Sequence, residues 1–189
     1  MRSGKVWKRL HFTYPSPRAL SDIVKLPLLA LEPREKIVQV WNERHLGDEA
    51  RVSTILDSST YDRLLANGSS FPRFIIPVYE HDHSFRMLVL EWQSRHCLLT
   101  GLEQFRQSGT SAFPVLVATF YEDFKKSKGL VLGRLDITDP IVKHAQARQV
   151  FELLLEFYTH EDKLAWIKTF NRDPSKFSIQ DYLKLTKRL

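Results

Sequence analysis

Cysteine occurs once in this 189-residue chain, at Cys97. No intramolecular disulfide can form, and a lone thiol suits a reducing compartment. It lies in the apolar run His96-Cys97-Leu98-Leu99, where a buried structural thiol is expected rather than a nucleophile. Glycine is scarce, at seven residues, and none is spaced as a phosphate-cradling loop. There is no HExxH and no nucleophile elbow. No apolar run is long enough to span a membrane, and no secretory core is present. Acids are missing from the first twenty-one residues, which carry Arg2, Lys5, Lys8, Arg9 and Arg18 before the first acid at Asp22.

That last absence reinterprets the net charge of +6. Five leader residues account for nearly all of it, so the rest of the chain is close to neutral. A broad basic face for nucleic acid is therefore not expected. The leader, residues 1–19, is basic and hydroxyl-bearing. It fits a mitochondrial transit peptide and a disordered basic arm equally. Residues 20–189 are long enough for one domain with a substantial core.

What is present is a dense block of apolar strands. Arg73–Tyr79, Phe85–Gln93 and Phe113–Tyr121 are rich in β-branched, aromatic and aliphatic residues between turn-forming bounds. Both faces of the latter two are apolar. Such strands lie inside a sheet covered on both sides, or leave one face for something else to cover. Val52–Leu56 and Leu130–Ile137 add strands, with Gly133 marking a bulge or close packing, and Leu98–Thr100 continues or follows the second of the three. Helices are predicted on either side. Leu20–Leu26 is a short one stopped by Pro27, and a longer one opens at Pro33 and buries Ile37, Val40 and Trp41. Ser58–Ala66 is capped by serines and closed by Asn67-Gly68. Glu103–Gly109 is polar with about one helical turn. Asp139-Pro140 starts a helix running to about Tyr158 that buries Ile141. Thr159 and Asp162 cap the next one, and Ser178–Leu189 is the last. The order of helices, strands and helices gives an α+β class: a central, mostly antiparallel sheet of four to six or more strands packed with N- and C-terminal helices.

Catalytic groups do not assemble from the pattern. His81, Asp82 and His83, with His96 and Cys97, are the most suggestive cluster, but their spacing matches no familiar zinc site and a hairpin turn splays its neighbours. No metal or cofactor is expected. Glu122 and Asp123 sit beside lysines as a solvated strand end. A sheet face that stacks RNA bases would need a basic surround that Phe120 and Tyr121 lack. A small-molecule-binding domain or enzyme with a pocket lined by His81, His83, His96 and Cys97 remains the alternative to a binding protein.

Several segments in order resemble the mitochondrial ATP synthase assembly factors that chaperone the β subunit of the catalytic head. They are Leu20–Leu29; the helix Glu32-Pro-Arg-Glu-Lys-Ile-Val-Gln-Val-Trp-Asn-Glu-Arg-His45; Phe71-Pro-Arg-Phe-Ile-Ile-Pro-Val78; the strand ending Leu90-Glu-Trp-Gln93; Phe120-Tyr121 with Lys128-Gly-Leu-Val-Leu-Gly-Arg134; and the tail with Phe170-Asn171, Pro174, Phe177 and Asp181. Leu99-Thr-Gly-Leu102 departs from the family's Phe-Thr-Pro-Leu, and Phe105 stands where tyrosine is common. The resemblance implies a non-enzymatic, monomeric chaperone of the mitochondrial matrix that holds free β subunit until the α subunit arrives. Neither membrane integration nor nucleic-acid binding is expected, given the lack of a long apolar run and of a broad basic face. Aromatic and arginine side chains dominate protein interfaces, which makes Trp41, Arg86, Trp92 and Tyr121 the candidate contacts. Core packing is the competing role for each.

Overall fold

Residues 17–80 and 84–187 are described by a computed structural model. Six strands are found among them: β1 (Arg51–Asp57), β2 (Arg73–Tyr79), β3 (Phe85–Gln93), β4 (His96–Gly101), β5 (Leu116–Tyr121) and β6 (Leu130–Ile137). They form one sheet in the order β1-β6-β5-β4-β3-β2, with every neighbouring pair antiparallel. The α+β expectation holds. β5 starts three residues later than the apolar run implied, because Pro114 has no amide to extend the ladder and Phe113 points to solvent, 68% exposed.

Helices follow the strands' two faces. Among the described residues they are α1 (Leu26–Leu29), α2 (Arg34–His45), α3 (Ser58–Ser70), α4 (Leu102–Ser108), α5 (Lys125–Lys128), α6 (His144–Thr159), α7 (Glu161–Arg172) and α8 (Ile179–Thr186). One sheet face carries Val52, Phe74, Leu90, Trp92, Leu99, Phe120 and Leu135, and packs with α3, α6, α7 and α8 into the main core. On the other face, Ile55, Tyr121, Leu130 and Leu132 pack under α1 and α2 around Ile37 and Trp41. That second face is not apolar throughout. Arg51 ion-pairs with Asp136 at 3.1 Å, buried Arg134 pairs with Asp136 at 3.0 Å, and Thr119 stands opposite Arg134. A polar band therefore crosses the sheet where the residue pattern implied free apolar surface.

Several helix ends differ from expectation for identifiable reasons. Pro27 sits in the first turn of α1 instead of stopping a helix, as its missing amide permits. Asn67 and Gly68 lie inside α3. The Asn67 amide donates to the Tyr158 carbonyl at 2.8 Å, and a Cβ at Gly68 would stand 2.6 Å from the Trp92 indole, so this glycine serves close packing. Asp139-Pro140 makes a turn closed by the Ile141 amide on the Asp139 carboxylate, 3.0 Å. α6 begins at His144, where the Gln146 side chain accepts the Lys143 amide at 2.9 Å. The Thr159 hydroxyl donates back to the Leu155 carbonyl at 2.7 Å, ending α6 without capping α7.

Asp57, not a serine, caps α3. Its carboxylate accepts the Ser59 hydroxyl at 2.6 Å and the Thr60 amide at 2.8 Å, which hold its pKa far below the usual carboxylate range. Replacing such a cap by alanine typically costs about 1 kcal/mol. Asp57→Ala is accordingly expected to lower the melting temperature by roughly 2–4 °C in a chain this size, read by thermal unfolding at neutral pH.

The two sheet edges are treated differently. On β2, the outward backbone groups belong to Arg73, Ile75, Pro77 and Tyr79, since the Trp92 amide bonds the Pro72 carbonyl and the Glu80 amide bonds the Ser84 carbonyl. Asn171 accepts the Arg73 amide and donates to the Arg73 carbonyl. The Tyr182 hydroxyl donates to the Ile75 carbonyl at 2.6 Å, and Gln146 donates to that of Tyr79 at 3.0 Å. Pro77 offers no amide. C-terminal side chains thus cover an edge that would otherwise invite strand pairing.

Candidate functional site

Three of the four candidate contacts pack inside the chain. Trp41 is 0%, Tyr121 5% and Trp92 7% exposed. Trp41 meets Tyr121 edge-on at 5.9 Å, and Trp92 stacks on Phe120 at 5.9 Å. Burial pushes the Tyr121 phenol up to about 12. These rings pack in the core of the free chain. His81, Asp82 and His83 lie outside the described residues. His96 and Cys97 are successive residues of β4, so their side chains point to opposite faces. Cys97 is enclosed in the main core, where burial raises its thiol pKa. His96 is half-buried beside Thr119, 3.4 Å away. The histidine pocket is therefore not built from these two.

Arg86 is the candidate that reaches the surface, and it borders a cleft of about 400 Å³. Phe85, Met87 and Leu88 of β3 supply one wall, Gly101 and Leu102 at the start of α4 another, and Asp139, Ile141 and Val142 a third. The Arg86 guanidinium donates to Glu80 at 2.9 Å and to the Ile141 carbonyl at 2.8 Å. It therefore fixes the loop that presents Ile141. Phe85 is 41% and Ile141 49% exposed. These side chains form an apolar mouth rimmed by Arg86, Glu103 and Asp139, suited to receive apolar side chains of another molecule.

Ile141 was expected inside a helix, and Phe113 in a strand. Both are exposed because the expected element starts later. Phe113 precedes Pro114, which has no amide to extend the ladder, and Ile141, next to Pro140, lies in the turn closed on Asp139 before α6 begins at His144. An apolar side chain adjoining a proline at a strand or helix boundary was the signal available in the sequence for finding them.

A second, polar cleft of about 270 Å³ lies between the end of α2, the start of β1 and the first turns of α6. Asn42, His45, Leu46, Asp48, Glu49, Arg51, Ser53, His144 and Arg148 line it. Burial, the largest effect, lowers the pKa of His45 below its ordinary 6.5, and the Nδ1 contact with the Trp41 carbonyl at 2.8 Å only partly opposes it. Burial also lowers that of His96.

The two histidines set a pH dependence. Each binds its proton less readily folded than unfolded, so between the folded pKa and about 6.5 the unfolded chain holds more protons. Their stabilising effect is complete above that range and is lost as pH falls through it. Urea unfolding should show a lower midpoint at pH 5.5 than at pH 7.5, with a smaller drop in His45→Gln/His96→Gln. Equal midpoints for the unsubstituted chain would contradict this.

Comparison with known proteins places the geometry in context. A family model described as ATP11 protein matches residues 10–183. Protein atp11, mitochondrial, of Schizosaccharomyces pombe is 25% identical over 118 residues, which is 60% of this chain. The chain spans 40% of that relative's length. No helix among the described residues is long and apolar enough to cross a membrane.

Proposed function

Because the chain belongs to the ATP11 protein family, we propose that it is a mitochondrial assembly factor for ATP synthase, holding the unassembled β subunit of the catalytic head. The family match across most of the chain carries this reading. The mitochondrial relative and the basic, acid-free leader support a site of action in the matrix. The apolar cleft at Phe85, Met87, Leu102 and Ile141 supplies surface of the kind a client subunit would bury. The chain acts as a binding protein without a catalytic step, shielding apolar client surface from aggregation and releasing it when the α subunit arrives.

Isolated α and β subunits test this separately. The chain lacking residues 1–19 should capture β but not α, suppress light scattering by β on dilution from denaturant, and give up β when α is added. Equal capture of both subunits, or no effect on β aggregation, would overturn the assignment.

A further inference from the structure

The edge of β1 lacks the covering that β2 has. The Ile137 amide bonds the Ala50 carbonyl and the Ser58 amide bonds the Gly129 carbonyl. In an antiparallel pair hydrogen-bonded partners alternate, so the register Val52↔Leu135, Thr54↔Gly133 and Leu56↔Val131 faces β6. Arg51, Ser53, Ile55 and Asp57 turn their backbone groups outward. The Arg51 amide is taken by the Asp48 carbonyl, and the Arg51 carbonyl meets His144 Nε2 at 3.1 Å. Asp57 passes into α3 as its cap. The amides and carbonyls of Ser53 and Ile55 have no such partner among the described residues. They alternate donor and acceptor at strand spacing, the pattern that an extended polypeptide satisfies.

The polar cleft lies at this edge, and its lining indicates the occupant. Arg51 is neutralised by Asp48 and Asp136, whereas Arg148, on α6, has no ion-pair partner among the described residues. Glu49, on the loop entering β1, also has no ion-pair partner among the described residues, so an acidic contact is confined to the Arg148 side of the cleft. Leu46, 85% exposed, adds an apolar contact at the same mouth. The chain's own leader, basic and without acids, has the wrong charge for Arg148. Both clefts also open at the same end of the sheet: Ile141 lines the apolar one, while His144 and Arg148, three and seven residues on, line this one.

We infer that the open edge of β1 accepts an extended, acid-bearing segment of the client as an added strand, hydrogen-bonded to Ser53 and Ile55 with its carboxylate against Arg148. This deepens the assembly-factor reading and rests on it. The added strand would give affinity through backbone pairing while the apolar cleft gives selectivity, so one client is held along a single end of the sheet.

Residue-resolved amide exchange with isolated β subunit as the probe tests it. On capture, the Ser53 and Ile55 amides should slow by more than about tenfold, while Val52 and Thr54, already bonded to β6, serve as internal controls. Arg148→Glu should weaken capture about tenfold with unchanged melting temperature. If the unsubstituted chain captures no β subunit, the assembly-factor reading fails and takes this inference with it. If β is captured while Ser53 and Ile55 exchange as in the free chain, this inference alone fails. Protection that rises with chain concentration in the absence of β would identify a second copy as the occupant and overturn the assignment to a client. Unchanged capture by Arg148→Glu would overturn the acidic contact.

Discussion

Phe74→Ala is expected to destabilise the chain by roughly 3–5 kcal/mol, the range for deleting a fully buried aromatic ring. Phe74 is 0% exposed. Its ring meets Phe157 at 5.4 Å, Phe170 at 5.6 Å, Phe177 at 6.2 Å and Tyr182 at 5.3 Å. These partners come from α6, α7, the connection before α8, and α8 itself, so one strand residue is where three helices meet the sheet. The rings also touch one another, as Phe170–Phe177 at 5.2 Å and Phe157–Tyr182 at 5.6 Å do. A cavity walled by rings held edge-to-face against one another collapses poorly, which places the loss toward the upper end. In a chain of this size that corresponds to a fall of about 6–20 °C in melting temperature. Phe74→Leu, which keeps most of the volume, should lose well under half as much. Equal losses for the two would show that volume is not what Phe74 contributes.

The second large effect concerns binding. Phe85→Asp with Ile141→Asp is expected to weaken β-subunit capture by about thirtyfold or more, the scale of losing a central interface anchor. Both side chains are substantially exposed, so folding should change by about 1 kcal/mol or less per site. The combination separates binding from stability: capture falls while the chain remains folded. Arg86→Ala gives an intermediate case, because it frees the Ile141 loop without adding charge to the cleft. Full retention of capture by Phe85→Asp/Ile141→Asp would remove the cleft from the client surface and leave the rest of the molecule to be searched.

The strand block was legible because strand identity depends on local side-chain chemistry. Arg73–Tyr79, Phe85–Gln93 and Leu130–Ile137 begin and end where β-branched and aromatic runs meet turn formers. The helix ends were less legible, since competing caps are decided by three-dimensional partners. Asp57 takes the place of the serines because its carboxylate reaches three donors at once, and Asn67-Gly68 continues the helix because Tyr158 and Trp92 give those residues other work. The polar band of Arg51, Asp136, Arg134 and Thr119 was invisible for another reason. These residues are scattered across three strands and align only through register. For the candidate site, Arg86 stood out as an arginine between apolar neighbours. Trp41, Trp92 and Tyr121 stood out for size alone, and a large ring is equally at home in a core or an interface. Phe85 is an ordinary apolar strand residue in sequence, whereas Ile141 carried the one signal of an adjoining proline, Pro140.

The unequal edges of the sheet also limit how the molecule can stick to itself. A strand-bearing protein that exposes two pairing edges can stack copies without end, as fibrils do. Here Asn171, Tyr182 and Gln146 take up outward groups of Arg73, Ile75 and Tyr79, and Pro77 has no amide to offer, so pairing through β2 is obstructed. Two copies meeting through β1 would consume each other's more open edge, and further edge-to-edge growth would be hindered. For a molecule proposed to work among unassembled, aggregation-prone subunits, that limits self-association by strand pairing.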